Sequence, residues 1–259
     1  MQSINLDQSE LFFPQDEEIE FIPEGHRYLY RGTTELIPVS TFYSQFFPTF
    51  EAEKIAARKA ATMGIAPEKL IEEWNVKRDM ASSVGTFMHK QIENILGGGS
   101  AETDYEFTYQ GKYANVSQRF DISKELCHFR SFLSQLTSVP LRTEWCVFDI
   151  QRGIAGTIDF ICRNDDGTFE IFDWKRSNKV DPDGRAWDYG LGPLSHIPNT
   201  AYWHYVLQQN IYRRIVEDNY GIHIRHCHLV VLHPDNSNYI IHTIPWLDAE
   251  VSAIYSTLK

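Results

Sequence analysis

Two aspartates and a lysine are spaced so that a pair of strands would carry them to one point. Gly156-Thr157-Ile158-Asp159 is followed, fourteen residues beyond its aspartate, by Asp173-Trp174-Lys175. Between them, Phe160-Ile161-Cys162 and Phe169-Glu170-Ile171-Phe172 have the composition of strands. They flank Asn164-Asp165-Asp166-Gly167, a hairpin-turn signal because Asp and Gly tolerate positive φ. Alternation along a strand sets Asp173 and Lys175 on one face and turns Trp174 into the opposite layer. Phosphodiester hydrolysis uses such a set. A divalent cation binds the scissile phosphate, lowers the pKa of an attacking water and neutralises the leaving oxygen. Hard Mg²⁺ prefers carboxylate and carbonyl oxygens, which Asp159, Asp173 and the Trp174 backbone offer. Lys175 is placed to orient the water or to stabilise the pentavalent transition state. Glu144, fifteen residues before Asp159 on a preceding strand, is read as a metal-facing or supporting carboxylate.

The elements that must position these groups follow from the apolar pattern. Short strands are predicted at Ile19–Ile22 and His26–Tyr30, joined by Pro23-Glu24-Gly25 into an N-terminal hairpin. Helical periodicity runs from about Glu51 to Leu96, with breaks expected near Gly64 and again at Ser82 to Gly85. Residues 97–112, opening on Gly97-Gly98-Gly99-Ser100, read as loop, and Ser123–Leu136 as helix. Thr143–Trp174 is the strand-rich centre. Ser177–Asn199 is long for a connector, a length that often marks a binding loop or lid. A helix over Thr200–Asp218, strands at His223–Leu232 and Tyr239–Thr243, and a helix from Leu247 complete the chain. The expected fold is α/β, a central mixed sheet flanked by helices, with an N-terminal hairpin and helical elaboration. A single domain is expected, with residues 1–80 as elaboration, 81–245 as core and 246–259 as a C-terminal helix.

Composition sets the outer limits. With 259 residues, 42% of them hydrophobic, the chain can bury a substantial core as one elaborated domain. No apolar run approaches the roughly 20 residues of a membrane helix. The acidic stretch Met1–Glu20 has neither a basic region nor an apolar core, so no secretory or transit signal is read there. A soluble, intracellular protein is expected, cytoplasmic in a bacterial or phage setting. Cys127, Cys146, Cys162 and Cys227 form no CxxC pair, which argues for reduced thiols and against a zinc ribbon. The net charge of −11 argues against a general nucleic-acid coat. It leaves room for a local groove, because a bound cation reverses the field of the carboxylates that hold it.

Taken in order, these motifs resemble the PD-(D/E)XK nuclease superfamily, and within it the RecB-like exonuclease branch. Gly85-Thr86-Phe87-Met88-His89 resembles that branch's GTxxH motif, with Glu93 one turn further along the same helical face. Gln208 and Tyr212 resemble its QxxxY motif on the helix after the lysine strand, and their spacing also puts both on one face. The ordered set spans Gly85 to about Leu232 and is far more specific than a DxK pattern alone. The resemblance implies that His89, Asp159, Asp173 and the Trp174 carbonyl bind Mg²⁺, with Mn²⁺ able to substitute, and that Lys175 is catalytic. Gln208 and Tyr212 are implied to contact substrate or support the site. The implied activity is exonucleolytic hydrolysis of DNA with a free end or a single strand, the alternatives being a structure-specific or restriction-type endonuclease and a non-catalytic nucleic-acid-binding module. The acidic composition leaves open either a basic accessory protein or a narrow basic channel as the means of holding DNA. The four cysteines do not follow the layout of cluster-bearing members, so no iron–sulfur cluster is expected. The N-terminal segment, with His26–Tyr30 and Pro38-Val39-Ser40-Thr41, resembles phage-like and mitochondrial-maintenance-type single-domain exonucleases.

The remaining polar residues have plainer readings. Glu93 is expected to be solvated or helix-paired. His223, His226, His228 and His233 look like a metal box, but they are read as structural because His226 and His228 share one face of an apolar strand without a nearby carboxylate partner and Cys227 points away. Arg176 and Lys179 are kept as phosphate contacts, whereas Arg213 and Arg214 are read as solvated. Among the aromatics, Trp145, Trp174 and Trp203 are assigned to the core, and Trp187 and Tyr189 are the better candidates for stacking on bases.

Overall fold

The computed structural model describes residues 6, 11–178 and 180–258. Three N-terminal strands, β1 (Ile19–Ile22), β2 (Arg27–Tyr30) and β3 (Thr34–Pro38), form a meander. Helices α1 (Val39–Ser44), α2 (Ala52–Met63) and α3 (Pro67–Leu96) follow. A separate two-stranded ribbon, β4 (Asp104–Gln110) with β5 (Asn115–Asp121), leads into α4 (Ser123–Gln135). The central strands are β6 (Val139–Asp149), β7 (Ile154–Arg163) and β8 (Phe169–Lys175). Helix α5 (Ala201–Tyr220) precedes β9 (Ile224–Val231), β10 (Ile240–Thr243) and α6 (Asp248–Tyr255).

The fold is α/β, with a mixed sheet of eight strands flanked by helices. β3 pairs with β7 and β8 with β9 in parallel, while β6 and β8 are antiparallel to β7 and β10 is antiparallel to β9. The hairpin expected at Asn164–Gly167 is present between β7 and β8, and Gly167, at φ 82°, takes the left-handed position that the turn needs. One sheet face packs Ile158, Ile161, Ile171 and Leu229 against Val206, Leu207 and Ile211 of α5. The other packs Phe160, Phe172, Trp174 and Val230 against Met88 and Ile92 of α3 and Phe129 and Phe132 of α4. Phe129 and Phe132 both meet the Trp174 ring edge-on, at 5.3 Å between centroids. No helix among the described residues is long and apolar enough to cross a membrane.

Pairing along β7 leaves an opening that decides where chemistry is placed. β6 covers one edge of β7 along most of its length. The opposite edge is shared, with β3 on Ile154–Ala155 and β8 on Phe160–Arg163. Gly156 to Asp159 therefore has no strand partner on that edge among the described residues. The register Phe160↔Phe172 would next match Asp159 with Asp173, so both carboxylates stand where β7 and β8 part.

Two expectations are corrected. The helix break at Ser82–Gly85 is absent, because α3 runs unbroken from Pro67 to Leu96. A helical glycine costs about 1 kcal/mol relative to alanine, and the buried stripe Val76, Val84, Met88 and Ile92 outweighs it. The same helix spans residues 80 and 81, so elaboration and core share it. Residues 97–112 are not all loop, because β4 begins at Asp104. Phe107 is buried and the half-buried Tyr105 and Tyr109 share its face, with the Tyr105 ring 4.9 Å from Phe87, so the alternating pattern of a strand is present behind the run of glycines.

Candidate metal centre

His89, Glu144 and Asp159 bring one imidazole nitrogen and two carboxylate oxygens within 4.8 Å of one another. His89 comes from α3, which faces the Trp174 side of the sheet. Its Nε2 lies 2.9 Å from the Trp174 carbonyl. Its Nδ1 faces Asp159 Oδ2 at 3.6 Å and Glu144 Oε1 at 3.8 Å. With Nε2–H donating to the carbonyl, Nδ1 is aimed at the carboxylates, the usual way in which a second hydrogen bond orients a histidine that can ligate a metal once Nδ1 gives up its proton. Asp159 is fixed as well. Its Oδ2 accepts from the Trp174 backbone N–H at 2.8 Å, bridging the fork between β7 and β8 with a side chain where a ladder bond would otherwise be. Thr143 Oγ1 donates to the Asp159 carbonyl at 2.8 Å.

Glu144 reaches the group through an unusual backbone. Its φ is 49°, a left-handed value that is uncommon for a non-glycine residue. Thr143↔Phe160 and Trp145↔Ile158 are paired on either side of it. The twist is local to one residue and leaves the ladder in register.

Asp173 and Lys175 occupy the α5 side of the same fork. Lys175 Nζ lies 2.6 Å from Asp173 Oδ2 and 4.2 Å from the centre of the Tyr205 ring. The other Asp173 oxygen accepts from Gln209 Nε2 at 2.9 Å. Asp173 stands outside the three-residue group and is held by an amine and an amide. Burial pushes the Asp173 carboxyl up to about 6, against the pull of Lys175, and burial raises Asp159 too. Burial alone would lower His89, but Asp159 and Glu144 overcome it and push the imidazole up to about 9. Likewise burial opposes the charge on Lys175, yet Asp173 and Asp159 hold it above its ordinary value. The centre is an array of negative charge partly balanced by one ammonium and one imidazole. Its donors fit a divalent cation, which His89, Glu144 and Asp159 would hold, with the second lone pair of the Trp174 carbonyl adjacent.

Gln208 and Tyr212 support the site from behind. Gln208 Nε2 donates to the Tyr212 hydroxyl at 3.2 Å, and the buried Tyr212 ring lies flush on Gly156. A Cβ at Gly156 would stand 2.3 Å from Tyr212 Cε1. The glycine three residues before Asp159 and the tyrosine on α5 are therefore one device, a close approach that lets α5 seat against the unpaired edge of β7. Gly156→Ala is expected to cost about 1–3 kcal/mol in urea unfolding through overpacking. Most of that cost is expected to vanish in a Tyr212→Ala background, and an equal cost in both backgrounds would show that the clash is not the cause.

Sequence reasoning did not single out Gln209 or Tyr205. The signal existed, since Tyr205, Gln208, Gln209 and Tyr212 form one polar and aromatic stripe at i, i+3, i+4 and i+7 on a helix that begins at the Thr200 cap. The expected phosphate contact at Arg176 is not free for that role. Its Nε is 2.8 Å from Glu125 Oε1, and Glu125 is completely buried. Lys179 lies outside the described residues. Arg213 is paired with Glu217 and Asp248, and Arg214 with Asp218. Glu93 is helix-paired, 2.7 Å from Lys90. Trp145 and Trp174 are buried, while Trp187 is 85% exposed with Arg185 stacked on it at 4.7 Å and Tyr189 is 52% exposed.

No family model matches the chain, and no curated protein matches it. A solved structure described as "Crystal structure of SSO0001" is similar over 85% of this chain and 71% of that chain, at 15% identity and a TM-score of 0.33. That likeness is too loose to carry a functional argument.

Proposed function

We propose that this chain is a metal-dependent nuclease that hydrolyses phosphodiester bonds in DNA from free ends. The observation that carries the reading is the convergence of His89, Glu144 and Asp159 with the Asp173–Lys175 pair at the fork between β7 and β8. The residues present suit Mg²⁺ or Mn²⁺, which when bound would polarise the phosphate and make a water nucleophilic near neutral pH. Lys175 presents its ammonium where negative charge develops on the phosphoryl oxygens as water attacks phosphorus. Asp173, anchored by Gln209, keeps that ammonium in place, and Tyr205 shields its other side from solvent. His89 is held by the Trp174 carbonyl, so the ligand set needs little rearrangement to accept a cation. The resemblance to RecB-like exonucleases, carried by the ordered motifs from Gly85 to Tyr212, supports action from an end.

The test is cleavage of end-labelled single-stranded, duplex and covalently closed circular DNA with Mg²⁺, Mn²⁺ or chelator, comparing wild type with Asp159→Asn. The expected result is loss of linear DNA, sparing of circles, and no activity with chelator or with the variant. Cutting of closed circles would replace the exonuclease reading with an endonuclease. Wild-type protein that cuts nothing would overturn the nuclease reading.

A further inference from the structure

The histidines on β9 were set aside in the sequence for want of a carboxylate, and the fold supplies one. Glu170 of β8 is the register partner of His226, and Phe172 is the register partner of His228. We propose that Glu170, His226 and His228 form a second cation site, of the kind that takes Zn²⁺, separate from the centre at His89.

Two of the three ligands are already in place. His228 is 92% buried as the complement of its 8% exposure, and its Nε2 has no hydrogen-bond partner among the described residues. That nitrogen lies 3.5 Å from Glu170 Oε2. Ligands on a tetrahedral ion, with bonds of about 2.0–2.1 Å, stand roughly 3.3 Å apart, so this separation suits a shared cation. Both groups are oriented from behind. Asn164 Nδ2 donates to Glu170 Oε1 at 3.4 Å, which leaves Oε2 for the site. The His228 ring stacks on Phe172, 4.7 Å between centroids and 18° between planes, and its Nδ1 is 3.0 Å from Thr243 Oγ1. With Nδ1–H donating to that hydroxyl, the Nε2 lone pair is free for a metal.

The third ligand needs one rotation. His226 lies two residues before His228 on the same strand face, half-buried, with ring centroids 5.9 Å apart. The proposed site requires a change of His226 rotamer to carry one of its ring nitrogens toward Glu170 and His228, because the three residues do not converge as they stand. A cavity of about 210 Å³, whose lining includes Phe132, Ser138 and Tyr239, opens beside Glu170 and His228. Two imidazoles and one carboxylate suit Zn²⁺, whereas Mg²⁺ favours oxygen donors. Glu170 lies four residues before Trp174, roughly 13 Å at about 3.3 Å per residue, so this ion would sit apart from the first. It would clamp β8 to β9 at the end remote from the fork.

The test isolates the second site by working in an Asp159→Asn, Glu144→Gln background, which disables the first. Equilibrium dialysis is expected to find one Zn²⁺ per chain, and Co²⁺ to give the intense visible absorption of a four-coordinate site. Thr243→Val, at an exposed position, is expected to weaken Zn²⁺ binding about 10–100-fold by freeing the His228 ring. His226→Ala is expected to weaken it further and to abolish the four-coordinate Co²⁺ spectrum. Neither variant touches the core, so a loss of metal is not confused with unfolding. No four-coordinate Co²⁺ spectrum in the background protein, or Zn²⁺ affinity unchanged by His226→Ala, would overturn the proposal whatever the nuclease assay shows.

Discussion

Lys175→Ala is expected to lower kcat for DNA cleavage by about 100–1,000-fold, the usual cost of losing one group that stabilises charge in a transition state. KM is expected to change little, because the ammonium is packed between Asp173 and the Tyr205 ring. A group so enclosed meets the reacting phosphate more than the length of the substrate. Binding of Mn²⁺ to the variant is expected to persist, since the lysine is not among the residues grouped as ligands. Single-turnover kinetics with a metal titration would check both halves. A variant that keeps wild-type kcat would remove Lys175 from the mechanism, while one that raises KM alone would make it a substrate contact.

The second large effect concerns stability. Arg176→Ala is expected to destabilise the fold by about 3–5 kcal/mol, because it strands the fully buried Glu125 without its cation. Glu125 Oε2 already lacks a hydrogen-bond partner among the described residues, so the Arg176 contact to Oε1 carries the compensation. For a chain of this size the loss corresponds to a fall of about 10 °C in Tm. Replacing both residues, Glu125→Leu with Arg176→Met, is expected to recover most of it, since neither desolvated charge then remains. Thermal unfolding of the three proteins decides the matter. If Arg176→Ala melts like wild type and loses affinity for DNA instead, the arginine contacts phosphate after all.

The central strands were legible in the sequence because their burial is encoded locally. Phe160-Ile161-Cys162 and Phe169-Glu170-Ile171-Phe172 are strand-like runs on either side of an Asp- and Gly-containing turn. The carboxylates and the lysine followed, since strand alternation fixes which way Asp173 and Lys175 point. What the sequence hid depends on contacts between distant elements. Arg176 reads as a free cation until α4 brings Glu125 beneath it, and His228 reads as an isolated histidine until β8 brings Glu170 alongside. The ribbon at β4 and β5 was hidden for another reason: its outer face is polar, and three glycines just before it suggest loop. Gly85 misled in the opposite direction, because a helix with enough buried contacts on either side tolerates it. Glu144 was found as a residue but not as a geometry, since nothing in Thr143-Glu144-Trp145 announces a left-handed backbone.

That backbone makes the centre a load on the fold. At φ 49° a glutamate costs about 1–3 kcal/mol that a glycine would not, and its carboxylate adds repulsion toward Asp159. The stability of this protein and the charge of its centre therefore pull against each other at a single residue, so selection for a higher melting temperature alone would drift toward glycine at position 144 and lose a metal ligand on the way.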